Sequence, residues 1–330
     1  MLVRGGPVVP RAQAQACVLE LRAATTTAER HVRAITGLGE ELPLQQGEVV
    51  DRPGWVSAAS DGLSALTGGS TGTERARLRQ VMAGGAGVQA GMVLAFLASR
   101  VLGQYDPFGA PGGTLLLVAP NVIGAERALD VPTSDFRLWV CLHECTHRLQ
   151  FTAVPWLRDY FAGQVASLMV AMDVDDSDGG AAKLGELVRT VGGRVRSGEG
   201  LPDAMGILEL LRGPEQREVL DRLLALSTLL EGHADHVMDA AGPSVVPSVA
   251  VIRQRFTERR RGGGLLDRLL RGLLGVDAKI RQYEQGAAFT RHVVGAVGMN
   301  GFNAVWQSQE TLPTMAEITD PAGWLRRVHG

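Results

Sequence analysis

The run His143-Glu144-Cys145-Thr146-His147 places two imidazoles and a carboxylate within five consecutive residues. On a helix, positions i and i+4 lie one above the other on the same face. Both imidazoles of such a pair can reach one metal ion at the usual nitrogen–zinc distance of about 2.0–2.1 Å. Glu144 projects from a neighbouring angle, which suits a carboxylate that acts on the metal's water instead of the metal. Zinc lowers the pKa of that water towards about 7, and the carboxylate takes the proton. The chemistry expected is metal-assisted hydrolysis, with one Zn2+ per chain.

A catalytic zinc takes three protein ligands and keeps a fourth position open. A third histidine at the HExxHxxGxxH spacing is excluded, because position 150 is Gln and position 153 is Ala. The remaining strong candidate is a glutamate on a later helix. Glu231-Gly232-His233-Ala234-Asp235 sets Glu231 and Asp235 on one helical face, the ExxxD arrangement that glutamate zincins use. Glu231 is then the expected third ligand, with His233 or His236 as alternatives. Asp235 is expected to accept the second ring N–H of one histidine, His143 being the first choice. Gly232 would let another backbone come close. Amide hydrolysis also needs a donor for the tetrahedral oxyanion. Tyr283 is the first choice, on a helix expected at about 277–297 that also carries Arg281 and His292, while His233 and His236 lie nearer the motif.

The elements that must position these residues can be read around them. Residues 12–36 are rich in Ala, Leu, Glu and Arg and predict a helix, 37–57 predict an extended connection, and a helix is expected at about 74–102. The glycine-rich 109–113 leads into TLLLVAPNVI, a short apolar run with β character that predicts a strand near 114–121 in a small sheet. FRLWVCLHECTHRLQF has apolar residues at helical spacing, with Thr133 or Ser134 as N-cap and Pro155 as the far limit. Further helices are expected at about 156–172, 182–196 and 203–212, then a long one from Pro214 to Gly242-Pro243 that carries Glu231. The expected fold class is α+β and mostly helical, in two lobes. Residues 1–155 form an upstream lobe with the small sheet and the HExxH helix, and 156–330 form a helical lobe carrying the third ligand, with the zinc in the cleft between.

Composition adds exclusions. The chain has 330 residues, 45% hydrophobic and 21% charged, with a formal net charge of -2, so neither sign is in excess and no nucleic-acid partner is implied. Three cysteines, Cys17, Cys141 and Cys145, argue against a disulfide framework and for a reducing compartment. The first 21 residues lack the continuous apolar stretch of a secretory signal, and no apolar run is long enough for a membrane span. A cytoplasmic location is expected. Residues 253–275 hold seven arginines and an amphipathic leucine stretch; a solvated loop and a packed helix are the favoured reading, and an acidic partner or a membrane surface is the alternative. Asp175 to Glu186 has calcium-loop order at its first, sixth and twelfth positions, but Gly179 at the fifth offers no side-chain oxygen, so a solvated acidic loop is expected. Cys141 and Cys145 read as small buried side chains.

The segments VVDRPGWV, PNVIGAERALDVPTSDFRLWVCLHECTHRLQFTAVPWLRDY, LLEGHAD, KIRQYEQGAAF and FNAVWQSQETLPTMAEITDPAGWLRR resemble the zincin-like metallopeptidase type 2 family, also labelled coenzyme F-420 biosynthesis-associated, over nearly the whole chain. The resemblance implies a zincin-like fold and a zinc hydrolase. The leading expectation is a glutamate-zincin-type metallopeptidase acting on a peptide or amide substrate. The alternatives are a catalytically silent or structural zinc scaffold, and a hydrolase of a non-peptide amide in cofactor metabolism.

Overall fold

A computed structural model describes residues 3, 5–67, 94–174, 214–262 and 276–330, with the side chains of 169–174, 214–216, 259–262 and 276–284 left aside. The expected helices at 182–196 and 203–212, the acidic loop, most of the 74–102 helix and the stretch 263–275 lie outside the described residues.

Helix α1 spans Arg11–Thr36 and ends where Gly37 takes φ 69°, a left-handed cap whose N–H bonds to the Arg33 carbonyl. The next stretch departs from the expected extended connection. A short strand β1 (Glu48–Val50) is followed at once by helix α2 (Arg52–Thr67). Asp51 supplies the reason: its Oδ1 accepts from Gly54 N at 2.8 Å, and Pro53 sits in the first turn, where its missing N–H costs nothing.

Strands β2 (Gly103–Asp106) and β3 (Thr114–Val118) complete a three-stranded sheet in the order β1-β3-β2. β3 is parallel to β1 and antiparallel to β2, with Gln104 opposite Leu116 and Asp106 opposite Thr114. The expected strand is shorter than its apolar run, because Ala119 already begins helix α3 (Ala119–Leu129), with Pro120 in its first turn. Strand β2 falls where a helix was expected to end. Alternation along β3 serves two cores: Leu115 and Leu117 face the helices of the larger cluster, while Leu116 and Val118 pack with Trp55 and Ala98 on the other face.

The motif helix α4 spans Thr133–Thr152, and its N-cap is Pro132, without a side-chain cap, in place of the expected Thr133 or Ser134. Helix α5 (Leu157–Val174) follows, then α6 (Pro214–Val245), broken at Gly242 where φ is 61°, next to Pro243, as the sequence signals require. Helix α7 spans Val249–Gly262 and α8 spans Val276–Phe302, before two short 3-10 turns and helices α9 (Met315–Thr319) and α10 (Pro321–His329). The chain is therefore mostly helical with one small sheet. Among the described residues no helix is long and apolar enough to cross a membrane.

Helices α6 and α8 meet at their backbones. A Cβ on Gly232 would lie 2.1 Å from the Gly286 carbonyl carbon, and one on Gly286 would lie 2.1 Å from the Thr228 oxygen. Leu226, Leu229, Phe289 and Val293 fill the space around this crossing. Because the atoms met are backbone atoms, neither helix can yield locally. Gly286→Ala is expected to lower stability by about 3 kcal/mol, the upper end of the usual overpacking cost, and denaturant unfolding of the two proteins measures it.

Candidate metal centre

Two opposite faces of α4 do different work. Arg137, Cys141, Cys145 and Arg148 recur at helical spacing on the face that meets α1. Arg137 forms a bidentate pair with Glu126 (3.0 and 2.7 Å) and also bonds to Glu20, while Arg148 pairs with Glu29 and donates to the Gln45 carbonyl at 2.7 Å. Between these clamps the Cys141 and Cys145 thiols approach the Leu21 and Thr25 carbonyls at 3.9 and 3.4 Å. All three cysteines are buried free thiols, and burial pushes the Cys141 and Cys145 thiols up, so they pack as small side chains. Glu20 and Glu29 on α1 thus hold both ends of the motif helix.

The other face carries the chemistry. His143 Nε2 lies 3.1 Å from His147 Nε2, and Glu231 Oε2 lies 3.5 Å from the first and 3.8 Å from the second. Ligands at zinc distances on a tetrahedron stand about 3.3–3.6 Å apart, so the three atoms already occupy nearly the right corners. Among the described residues these are the metal-capable side chains that converge, with one ligand atom each within 4.8 Å of the others. The donor set of two imidazoles and a carboxylate fits zinc, and the three side chains remain partly exposed towards a cleft of about 450 Å3.

Glu144 lies beside this cluster and is nearly buried, at 7% exposure. Burial, reinforced by the Glu231 charge, pushes its carboxyl up to about 8. It fits there because residue 103 is glycine: a Cβ at Gly103 would stand 2.6 Å from Glu144 Cγ and 2.9 Å from its Oε1. Strand β2 therefore lies directly against the carboxylate. The cleft's wall beyond is apolar, built from Leu63, Tyr105, Phe108, Phe151, Phe161 and Leu230.

Behind the cluster is a polar contact that the sequence reading missed. Gln150, fully buried on α4, has its Oε1 2.9 Å from His147 Nδ1, while its Nε2 donates to the Leu230 carbonyl at 3.0 Å and lies 3.0 Å from His233 Nδ1. Its position, one turn past His147 on the same face, was the available signal. His233 is fully buried against Phe302 and Trp306, and burial pushes it down to about 3, so it is neutral. Asp235 accepts from Arg253 Nη1 at 3.0 Å, and Arg253 also reaches Asp239 at 2.7 Å. His236 is half-buried beside Asp235 and Arg291, and burial lowers it. Tyr283 and Arg281 fall in the part of α8 whose side chains lie outside the described residues, and His292 is exposed. At the start of the arginine-rich segment, Arg255 donates to the Leu129 carbonyl at 2.9 Å, so this part folds back onto the body.

The family model described as zincin-like metallopeptidase matches residues 1–325. Among solved structures, the chain is similar to one from Chloroflexus aurantiacus described as a "putative hydrolase with a novel fold", with 30% identity and a TM-score of 0.67 over 98% of this chain and 93% of that one. No curated protein matches.

The raised Glu144 carboxyl gives the metal-free protein a pH signature. The unfolded group ionises near the ordinary 4.5 and the folded one near 8, so its contribution to stability is complete below the first value and is lost as pH rises towards the second. Metal-free Glu144→Gln should match wild type near pH 4 and exceed it at pH 8 by on the order of a few kcal/mol. Urea unfolding at the two pH values reads the difference, and equal slopes with pH would show that Glu144 ionises freely.

Proposed function

Because the chain belongs to the zincin-like metallopeptidase family, we propose that it is a zinc-dependent peptidase of the glutamate-zincin type, with His143, His147 and Glu231 as ligands and Glu144 as general base. The observation that carries this reading is a carboxylate, Glu144, held beside three convergent ligand atoms at the floor of an open cleft. When bound, zinc supplies a Lewis acid that polarises a carbonyl and acidifies water. The remaining steps belong to the protein. Glu144 accepts the proton of the attacking water and returns it to the departing amine.

Strand β2 supports an extended peptide as the substrate. Val118 N donates to the Leu102 carbonyl at 2.8 Å, so in the antiparallel ladder Leu102, Gln104 and Asp106 bond to β3. The alternate residues, Gly103 and Tyr105, turn their N–H and C=O groups away from β3, at what is the sheet's edge among the described residues, and Gly103 lies beside Glu144. An extended peptide can add there as a further strand. Tyr283 is the oxyanion donor we assign, on chemical grounds alone, and Asp235 is assigned to orient His143. A structural zinc site calls for a fourth protein ligand. His233 on the same helix as Glu231 has its Nδ1 on Gln150, and among the described residues no fourth metal-capable side chain joins the cluster, which supports the catalytic reading.

Metal analysis of purified protein should give one zinc per chain, lost in His143→Ala and Glu231→Ala. Glu144→Gln should keep its zinc while hydrolysis of a general peptide library falls by about 10²–10⁴-fold. Full zinc in Glu231→Ala would remove the third ligand. Gly103→Ala is expected to keep zinc too, and to lower kcat by displacing Glu144; steady-state kinetics with unchanged kcat would break the link between β2 and the base.

A further inference from the structure

Gln150 makes three contacts from a fully buried position, and together they determine how its carboxamide is turned. The Leu230 carbonyl can only accept, so the NH2 group must face it, at 3.0 Å. The oxygen is then left for His147 Nδ1, at 2.9 Å, and an oxygen there requires a proton on that nitrogen. In its neutral form His147 is therefore the Nδ1–H tautomer, with the lone pair on Nε2, the atom that lies beside His143 Nε2 and Glu231. The second NH2 hydrogen points to His233 Nδ1 at 3.0 Å, which makes that nitrogen an acceptor.

We propose that Gln150 is the positioning residue of the metal site, a role that rests on the zinc reading above. One carboxamide selects the metal-binding tautomer of His147 on α4 and, through the carbonyl of the residue directly before Glu231, fixes where α6 presents the third ligand. Neither job is local to the motif: the amide reads both helices at once. A side chain that only filled space would set neither the tautomer nor the spacing. His233 completes the arrangement by facing the other hydrogen of the amide, and turning the carboxamide over would set its oxygen against the Leu230 carbonyl, which can only accept.

The test uses two measurements on the whole chain. In the metal-free wild type, nitrogen–proton NMR of the imidazoles should show His147 protonated at Nδ1, the opposite of the tautomer that free neutral imidazole side chains favour. In Gln150→Met, which keeps the volume and removes the polar atoms, that preference should be lost. Zinc affinity against a competing chelator should fall about 10–100-fold, and the visible spectrum of the cobalt-substituted protein should change. Gln150→Glu, which keeps the acceptor for His147 but not the donor to α6, should retain the tautomer and still bind zinc less tightly. His147 protonated at Nε2 in the wild type, or equal zinc affinity in wild type and Gln150→Met, would overturn the role assigned to Gln150. A wild type that holds no zinc would overturn the metal reading as well, and the tautomer measurement tells the two failures apart.

Discussion

The whole site depends on how closely helix α6 can approach helix α4. Two of the ligand atoms come from one turn of α4, and the third arrives on a helix far along the chain, so a shift of one side-chain layer between the helices would leave Glu231 out of reach of both imidazoles. The approach is set from behind. Where α6 crosses α8, Gly232 and Gly286 place backbone on backbone, with no Cβ to hold the helices apart. Apolar packing of Leu229, Phe289 and Val293 drives this contact but is non-directional and says little about rotation. Direction comes from polar groups: the Gln150 amide on one side, and on the other the arginine–glutamate clamps that fix α4 on α1 and α3. Buried polar contacts of this kind are costly when half satisfied, which is why they discriminate between packings that apolar contacts alone would tolerate.

The same geometry creates an electrostatic demand. Glu144 and Glu231 are two carboxylates in a cleft with an aromatic wall, and burial together with the Glu231 charge makes Glu144 harder to ionise. A dication at the three ligand atoms is the countercharge that lets both carboxylates ionise together. Ligand convergence, the raised Glu144 carboxyl and the neutral His233 behind them thus belong to one arrangement that a dication would complete.

What the sequence disclosed follows the range of each interaction. The HECTH run is legible because a metal pair at i and i+4 is a property of one helix, and Glu231 because its surroundings, an apolar pair before it and glycine after it, already mark a closely packed face. The kink at Gly242-Pro243 and the cap at Gly37 are local in the same sense. Strand β2 was not legible: Gly-Gln-Tyr-Asp has little β propensity, and the strand exists because β3 offers it an edge. The start of α2 was signalled by Asp51 and Pro53 but overshadowed by Gly54, whose presence suggested a connection. Gln150 shows the limit best. In the sequence it served only to exclude a third histidine, because its function lies in a carbonyl on another helix that no spacing rule could find.

Strand β2 then ties the catalytic and binding halves of the site together. Its first residue has no side chain, and that absence admits Glu144 against the strand. Its third residue, Tyr105, turns its ring into the cleft and locks its hydroxyl on the Gly112 carbonyl at 3.0 Å, which closes the glycine-rich turn before β3. Asp106, the last residue, accepts from the Phe108 and Gly109 amides and so shapes the turn that carries Phe108 into the aromatic wall. The backbone groups of Gly103 and Tyr105 that point away from β3 are therefore fixed in depth relative to Glu144. A peptide bonded to them would run past Glu144 at a distance set by the protein, not by the peptide's own side chains. Recognition by backbone would then come first and side-chain preference second, with the apolar wall favouring bulky apolar residues.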